Sequence, residues 1–216
     1  IACRKCPRLV RWREASAKKP PRRYIGQAYW GKPLAGFGDP GARLLIVGPG
    51  PAAHGGNRTG RMFTGDRSGD WLYGALHAAG FANQTNSDHR DDRLRLDGCY
   101  ITAAVHCSPP DTKPAVSELK GCRSYLVQEL KFFGDIKVVI VLGKIAFDAF
   151  LTAYQEKGGA VPKPRPKFGH GVAVDLASGP RLLCSYHPSQ QNTFTGKLTR
   201  PMFQDIFDQA KAALSE

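Results

Sequence analysis

Four short runs of branched and apolar residues constrain this chain more than any other feature. They are residues 43–47 (RLLIV), 99–105 (CYITAAV), 138–142 (VVIVL) and 181–186 (RLLCSY). Runs this short and this apolar read as strands buried on both faces. Gly48-Pro49-Gly50-Pro51 stops the first, Gly143 the third and His187-Pro188 the fourth. Segments of helical period lie between them. A short helix over 7–17 precedes the first run. Ser68 can cap a helix that carries Trp71, Leu72, Leu76 and Ala79 and stops at Gly80. Residues 117–133 place Leu119, Cys122, Leu126 and Leu130 on one stripe. Helices over 145–154 and 200–214 follow, the last with Met202, Ile206, Phe207, Ala210 and Leu214. Strands alternating with helices predict an α/β fold, a mostly parallel sheet covered on both faces.

Sheets of this kind bind ligands beyond the carboxyl ends of their strands. That rule gathers the loops 48–67, 106–114, 143–145 and 187–198. They carry His54, Asn57, Arg58, Arg61, Phe63, Asp66, His187 and Asn192. Residues 1–42, basic and rich in Pro and Gly, read as an arm over the body, and 1–216 as one domain. Residues 82–97 and 158–169 read as loops. The longest aliphatic stretch, 138–142, falls far short of the about 20 apolar residues that cross a bilayer. Ile1-Ala2-Cys3-Arg4-Lys5 lacks the apolar core of a secretion signal, so a cytoplasmic protein is expected. The absent initiator Met suggests that a few residues precede Ile1.

Lys and Arg number 31 against 18 Asp and Glu, a balance of +13. A polyanion is the natural partner, because cations that replace counterions on phosphates release them. The basic residues cluster at Arg8, Arg11 and Arg13, at Lys18, Lys19, Arg22 and Arg23, and at Lys163, Arg165 and Lys167. Six cysteines also need a reason. Cys3-x-x-Cys6 has chelating spacing, and Cys107 and Cys122 could supply two further ligands to a metal or iron–sulfur site. A redox pair is the alternative for Cys3 and Cys6. Cys99 and Cys184 lie inside strand-like runs and read as buried thiols. The glycines at 48 and 50 form neither a P-loop nor a dinucleotide fingerprint, since no Gly-Lys-Ser/Thr and no third glycine follow.

The stretch GPGPAAHGGNRTGRMFTGD, residues 48–66, resembles the first motif of the uracil-DNA glycosylase superfamily, family 5 in particular. Ser185-Tyr186-His187-Pro188-Ser189 with Gln191-Asn192-Thr193 is similar to the second motif. Tyr100-Ile101-Thr102-Ala103-Ala104-Val105 with Cys107-x-Pro109-Pro110 matches a third block, and Cys3-x-x-Cys6-Pro7-Arg8-Leu9 the amino-terminal one. The resemblance spans nearly the whole chain. It implies a three-layer sandwich with a central, mainly parallel four-stranded sheet, and a structural 4Fe–4S cluster on Cys3, Cys6, Cys107 and Cys122. It also implies hydrolysis of the bond between a deaminated base and its sugar in double-stranded DNA, leaving an abasic site. A monomer acting near the nucleoid is expected.

The chemistry assigns roles. A base must leave the duplex to be cut out. Positive charge then grows on the sugar and negative charge on the base. His187 can donate to the base as it becomes an anion, as a neutral imidazole. Asp66 can steady the sugar cation and orient water, or cap the following helix, or both. Phe63 can stack on the flipped base. Gly50, His54, Asn57 and Asn192 are candidates to touch base or water. Arg58 and Arg61 either hold phosphates or pair with carboxylates. Beyond His187, Phe194 and Leu198 are alternative wedges for the minor groove, with Lys197 and Arg200 on the flanking phosphates.

Four positions depart from relatives. Ala103 stands where uracil-strict relatives have an Asn that reads the pyrimidine edge; a site with fewer fixed polar groups rejects fewer bases. Pro49 stands where family 4 has an acid and family 5 an apolar residue, and Gly50 replaces a small residue. Thr112 stands where some relatives have Asn. A DNA-binding module of the same fold with little or no catalysis is the alternative reading, kept open by Pro49. The covalent-trapping branch is disfavoured, because residues 51–67 hold no inserted basic loop.

Overall fold

A computed structural model describes residues 2–177 and 179–215. Its framework is a sheet of six strands in the order β1-β3-β2-β4-β6-β5. The four apolar runs supply the parallel centre: β2 (Leu44–Gly48), β3 (Cys99–Ala103), β4 (Val138–Leu142) and β6 (Arg181–Ser185). Two short antiparallel strands edge it, β1 (Phe37–Gly38) beside β3 and β5 (Ala173–Asp175) beside β6. The amino-terminal arm is therefore partly built into the sheet, which its Pro and Gly content does not betray.

The strands alternate their side chains between two cores. Leu44, Ile46, Val138, Ile140 and Leu142 face the layer of α3 (Arg67–Ala79) and α7 (Arg200–Ser215). Leu45, Val47, Val139 and Val141 face α4 (Val116–Phe132) and α5 (Lys144–Glu156). Strand β2 has β3 on one side and β4 on the other, so its crossovers diverge and open a crevice at its carboxyl end.

Helix α1 (Pro7–Lys18) anchors the arm through buried Leu9 and Val10. The cap of α3 is not Ser68 but Asp66, whose Oδ1 accepts the N–H groups of Ser68 and Gly69 at 2.9 and 3.2 Å. A carboxylate one residue outside the helix reaches those donors and also favours the positive end of the helix dipole. Gly80 closes α3 in the left-handed region, at φ +90°. Two short helices, α2 (Gly56–Thr59) and α6 (Gln190–Phe194), lie within loops on the crevice side. Among the described residues no helix is long and apolar enough to cross a membrane.

Candidate active site

The 48–66 loop is built by close approach. A Cβ on Gly48 would meet the Phe63 ring at 2.8 Å, so the end of β2 must be glycine for that ring to lie over it. Phe63 itself has a left-handed backbone, φ +52°, and is 9% exposed. Strain of this kind persists only where the surroundings over-determine it. Gly50 packs on Val105, where a Cβ would come within 2.6 Å of Cγ2; its missing side chain faces the loop after β3 rather than open space.

The polar side chains of the loop are mostly consumed inside it. Asn57 is fully buried and its Nδ2 donates to the carbonyls of Arg13 (3.2 Å) and Ala53 (3.3 Å), while Oδ1 has no partner among the described residues. Arg58 donates to the carbonyls of His54 and Gly65, both at 2.8 Å, and to Gln27 at 2.9 Å. Arg61 is 4% exposed and forks onto Asp92 at 2.8 and 2.6 Å, with Thr64 and Ser87 as further acceptors. Arg61 therefore pairs with a carboxylate and is not a phosphate contact. Burial pushes the Asp92 carboxyl up, but Arg61 and the backbone donors of Leu94 and Asp88 outweigh it and hold it at about 2.

Asp66 ends the loop. Its Oδ1 caps α3, and Oδ2 lies against Gly55, with no room for a Cβ between them. Removal from water raises its carboxyl above the ordinary aspartate range; the two capping N–H groups pull the other way. His54 has its Nδ1 2.9 Å from the Tyr29 hydroxyl, and burial, Arg23 and Arg58 keep its imidazole below the usual value.

His187 follows β6 and meets this loop. Its ring lies 5.8 Å from that of Phe63, tilted by 31°. Gly143, at the end of β4, has its Cβ position 3.4 Å from the His187 Cβ. The carboxyl ends of β2, β4 and β6 thus converge on one aromatic pair. Burial lowers the His187 imidazole to about 4, so it is neutral at physiological pH. Asn192 donates to the His187 carbonyl at 2.8 Å, which commits its amide nitrogen to holding that turn. Ala103 is 1% exposed and registers with Gly48, presenting only a methyl group at the end of β3.

The two wedge candidates part company. Leu198 is 1% exposed and belongs to the core with Phe203 and Phe207, so it is not a wedge. Phe194 is 67% exposed at the end of α6, with the Arg67 guanidinium 4.5 Å from its ring centre. Lys197 lies over Tyr186 at 4.7 Å and Arg200 over Trp71 at 4.2 Å, both on exposed chain.

On the opposite side of β3, Cys3, Cys6, Cys107 and Cys122 line one cavity of about 260 Å³. All are free thiols. Two donors already reach their sulfurs: Arg13 Nη1 on Cys107 at 2.9 Å and the His106 N–H on Cys122 at 3.4 Å. Among the described residues no three His, Cys, Asp or Glu side chains close on a point fit for a single metal ion. Arg13 is 2% exposed and Arg8 forks onto Glu118 at 2.8 and 2.7 Å, so part of the basic cluster at the amino terminus serves the fold. Asp111 and Thr112 follow the cavity in left-handed conformations, φ +53° and +57°. Asn visits that region far more readily than a β-branched Thr, so Thr112 strains this turn.

Sequence reasoning gave no role to Tyr29 and Asp92, and took Gly143 only as the end of a strand and the start of a loop. Only Gly143 left a signal, as the glycine that ends an apolar run; the other two act across long separations in sequence.

The profile of the Uracil DNA glycosylase superfamily matches residues 35–211. The chain is 50% identical over 210 residues to the type-5 uracil-DNA glycosylase of Mycobacterium bovis, covering 97% of this chain and 77% of that one. It is 48% identical to the type-5 enzyme of Thermus thermophilus, over 97% of this chain and 93% of the relative. With that of Pyrobaculum aerophilum it shares 42% over 212 residues, 98% of this chain and 89% of the relative.

Proposed function

This chain belongs to the uracil-DNA glycosylase superfamily, and from that premise we infer a hydrolase that cuts the N-glycosyl bond of uracil in DNA. The Phe63–His187 pair at the joint carboxyl ends of three strands carries the assignment of roles. A base flipped into that space stacks on Phe63. His187 donates a hydrogen bond to the base as it departs with the bond's electrons; being neutral, it stabilises the anion without having to protonate it. Asp66 Oδ2 has no hydrogen-bond partner among the described residues, and from there its negative charge faces the sugar cation and aligns water. The apolar end of β3 at Ala103 supports a pocket that also takes deaminated purines. The acting form is a monomer on double-stranded DNA, with Phe194 filling the gap left by the base and Lys197 and Arg200 on phosphates, and its place of action is the nucleoid.

The cysteine cavity suits a 4Fe–4S cluster. Four free thiols around a common space, with N–H donors already aimed at two sulfurs, meet the needs of a cluster better than those of a single ion. Cys3, Cys6, Cys107 and Cys122 would hold it, tying the arm to the loop after β3. Protein purified without oxygen should be brown and carry iron; colourless, iron-free and fully active protein would rule the cluster out.

The function is tested by single-turnover nicking of duplexes that hold uracil, hypoxanthine or xanthine, with alkali revealing abasic sites. Release of uracil and at least one purine is expected. Uracil alone would remove the argument from Ala103, and no release at all would remove the enzyme.

A further inference from the structure

His187 is carried by a backbone that a second histidine grips. The N–H of Tyr186 donates to His170 Nδ1 at 3.2 Å. The His170 ring also stacks on the Tyr186 ring, with centroids 5.2 Å and planes 28° apart. Phe168 packs on the same tyrosine at 6.2 Å, and Lys197 lies over it at 4.7 Å. His170 stands on a turn in which Val172 N–H donates to the Gly169 carbonyl and Gly171 takes a left-handed φ of +76°. That turn is tied to β6, since Gly171 N–H donates to the Cys184 carbonyl and Cys184 N–H to that of Val172, both at 2.9 Å. The hydrogen bond and the stacked ring thus run from a turn tied to β6 to the residue before His187, and Ser185 Oγ lies 3.5 Å from the same His170 Nδ1.

A ring nitrogen that accepts an N–H must carry a lone pair, which fixes the proton on Nε2. We propose that His170 is a positioning residue: neutral and protonated on Nε2, it holds the Tyr186 backbone and thereby sets where the His187 imidazole points. The proposal rests on the reading of His187 as the donor to the departing base. A charged His170 would set N–H against N–H and lose the grip. Its surroundings oppose that charge through burial, although the Met202 carbonyl and Asp205 on α7 favour it. The tyrosine phenol stacks on the ring, the Cys184 backbone is tied to its turn, and Lys197 lies beyond the tyrosine.

Two measurements test it. The first is the ¹⁵N spectrum of the histidine side chains in the whole wild-type protein, with the His170 signals assigned by their loss in His170→Asn. A neutral Nε2–H ring at neutral pH is expected; the Nδ1–H form or a charged ring would overturn the proposal. The second compares two variants in single-turnover release of uracil. Asn puts Oδ1 where Nδ1 stood and keeps an acceptor for Tyr186, whereas Gln reaches only the Nε2 position. His170→Asn should stay near the wild-type rate, while His170→Gln should lose roughly 10- to 100-fold, with DNA affinity unchanged in both. Equal losses in the two, or a loss carried by affinity, would overturn it. A wild-type protein that releases no base would refute the glycosylase reading instead, and the spectrum would still decide His170.

Discussion

The two loops that border the pocket are built on opposite principles. Between residues 48 and 66 the polar side chains turn inward: Asn57 and Thr64 are fully buried and Arg61 is 4% exposed. Beyond His187 the chain leaves Phe194 67% exposed and rests Lys197 and Arg200 on aromatic faces, with no carboxylate partner among the described residues in hydrogen-bond reach. The first loop is organised before any ligand arrives, which is what stabilising charge in a transition state demands. The second keeps free surface for a partner that must be bent and entered. On the proposed reading, reaction chemistry and DNA engagement are divided between a stiff loop and an open one.

The division is most exposed at Asp66, which caps α3 and, on the proposed reading, also serves the chemistry. Asn at this position keeps an oxygen for the cap and removes the charge. Asp66→Asn should lower the single-turnover rate roughly 10²- to 10⁴-fold while thermal stability hardly changes. Full activity in this variant would reduce Asp66 to a helix cap. Because burial raises its carboxyl, the rate should fall on the acid side at a pH above that at which an ordinary aspartate titrates. His187 stays neutral down to about 4 and adds nothing to that limb until then.

Stiffness itself is tested at Asp92. Removing it strands the Arg61 guanidinium in a site that is 4% exposed. Asp92→Ala should cost about 3–5 kcal/mol in denaturant unfolding. A small loss would mean that water reaches Arg61 and that the loop is less closed than its hydrogen bonds suggest. The native carboxyl, at about 2, lies below its ordinary value of 3.8. The folded state therefore binds this proton less readily than the unfolded one. Its stabilisation is full above the ordinary value and is lost as pH falls toward 2.

The same contrast explains what could be read from the sequence. Strands such as VVIVL declare themselves, because burial on both faces leaves no polar residue to obscure the pattern. β1 and β5 do not, since two or three residues pairing at an edge need no apolar run. In the site, Asp66 and His187 stand in motifs, and Asp66 also shows as a cap before a helix. The fate of Arg61 was illegible because its partner lies 31 residues away in a polar loop. Leu198 and Phe194 were indistinguishable as apolar residues in one loop; only the packing of α7 decides which is covered. His170 left no trace because it works through a backbone N–H, which every residue but proline offers.

That last pair gives the finest probe of the open loop. Leu198→Ala removes a side chain from the core and should cost about 2–5 kcal/mol of stability. Phe194→Ala removes one that the folded protein scarcely buries, so stability should hold. The rate on duplex uracil should fall instead, because a stacking ring at the gap contributes about 1–3 kcal/mol. On single-stranded uracil, where the departing base leaves no gap in a duplex stack, the two proteins should cut alike. If Phe194→Ala slowed both substrates equally, the ring would be part of the pocket, and the open loop would share the work of the stiff one.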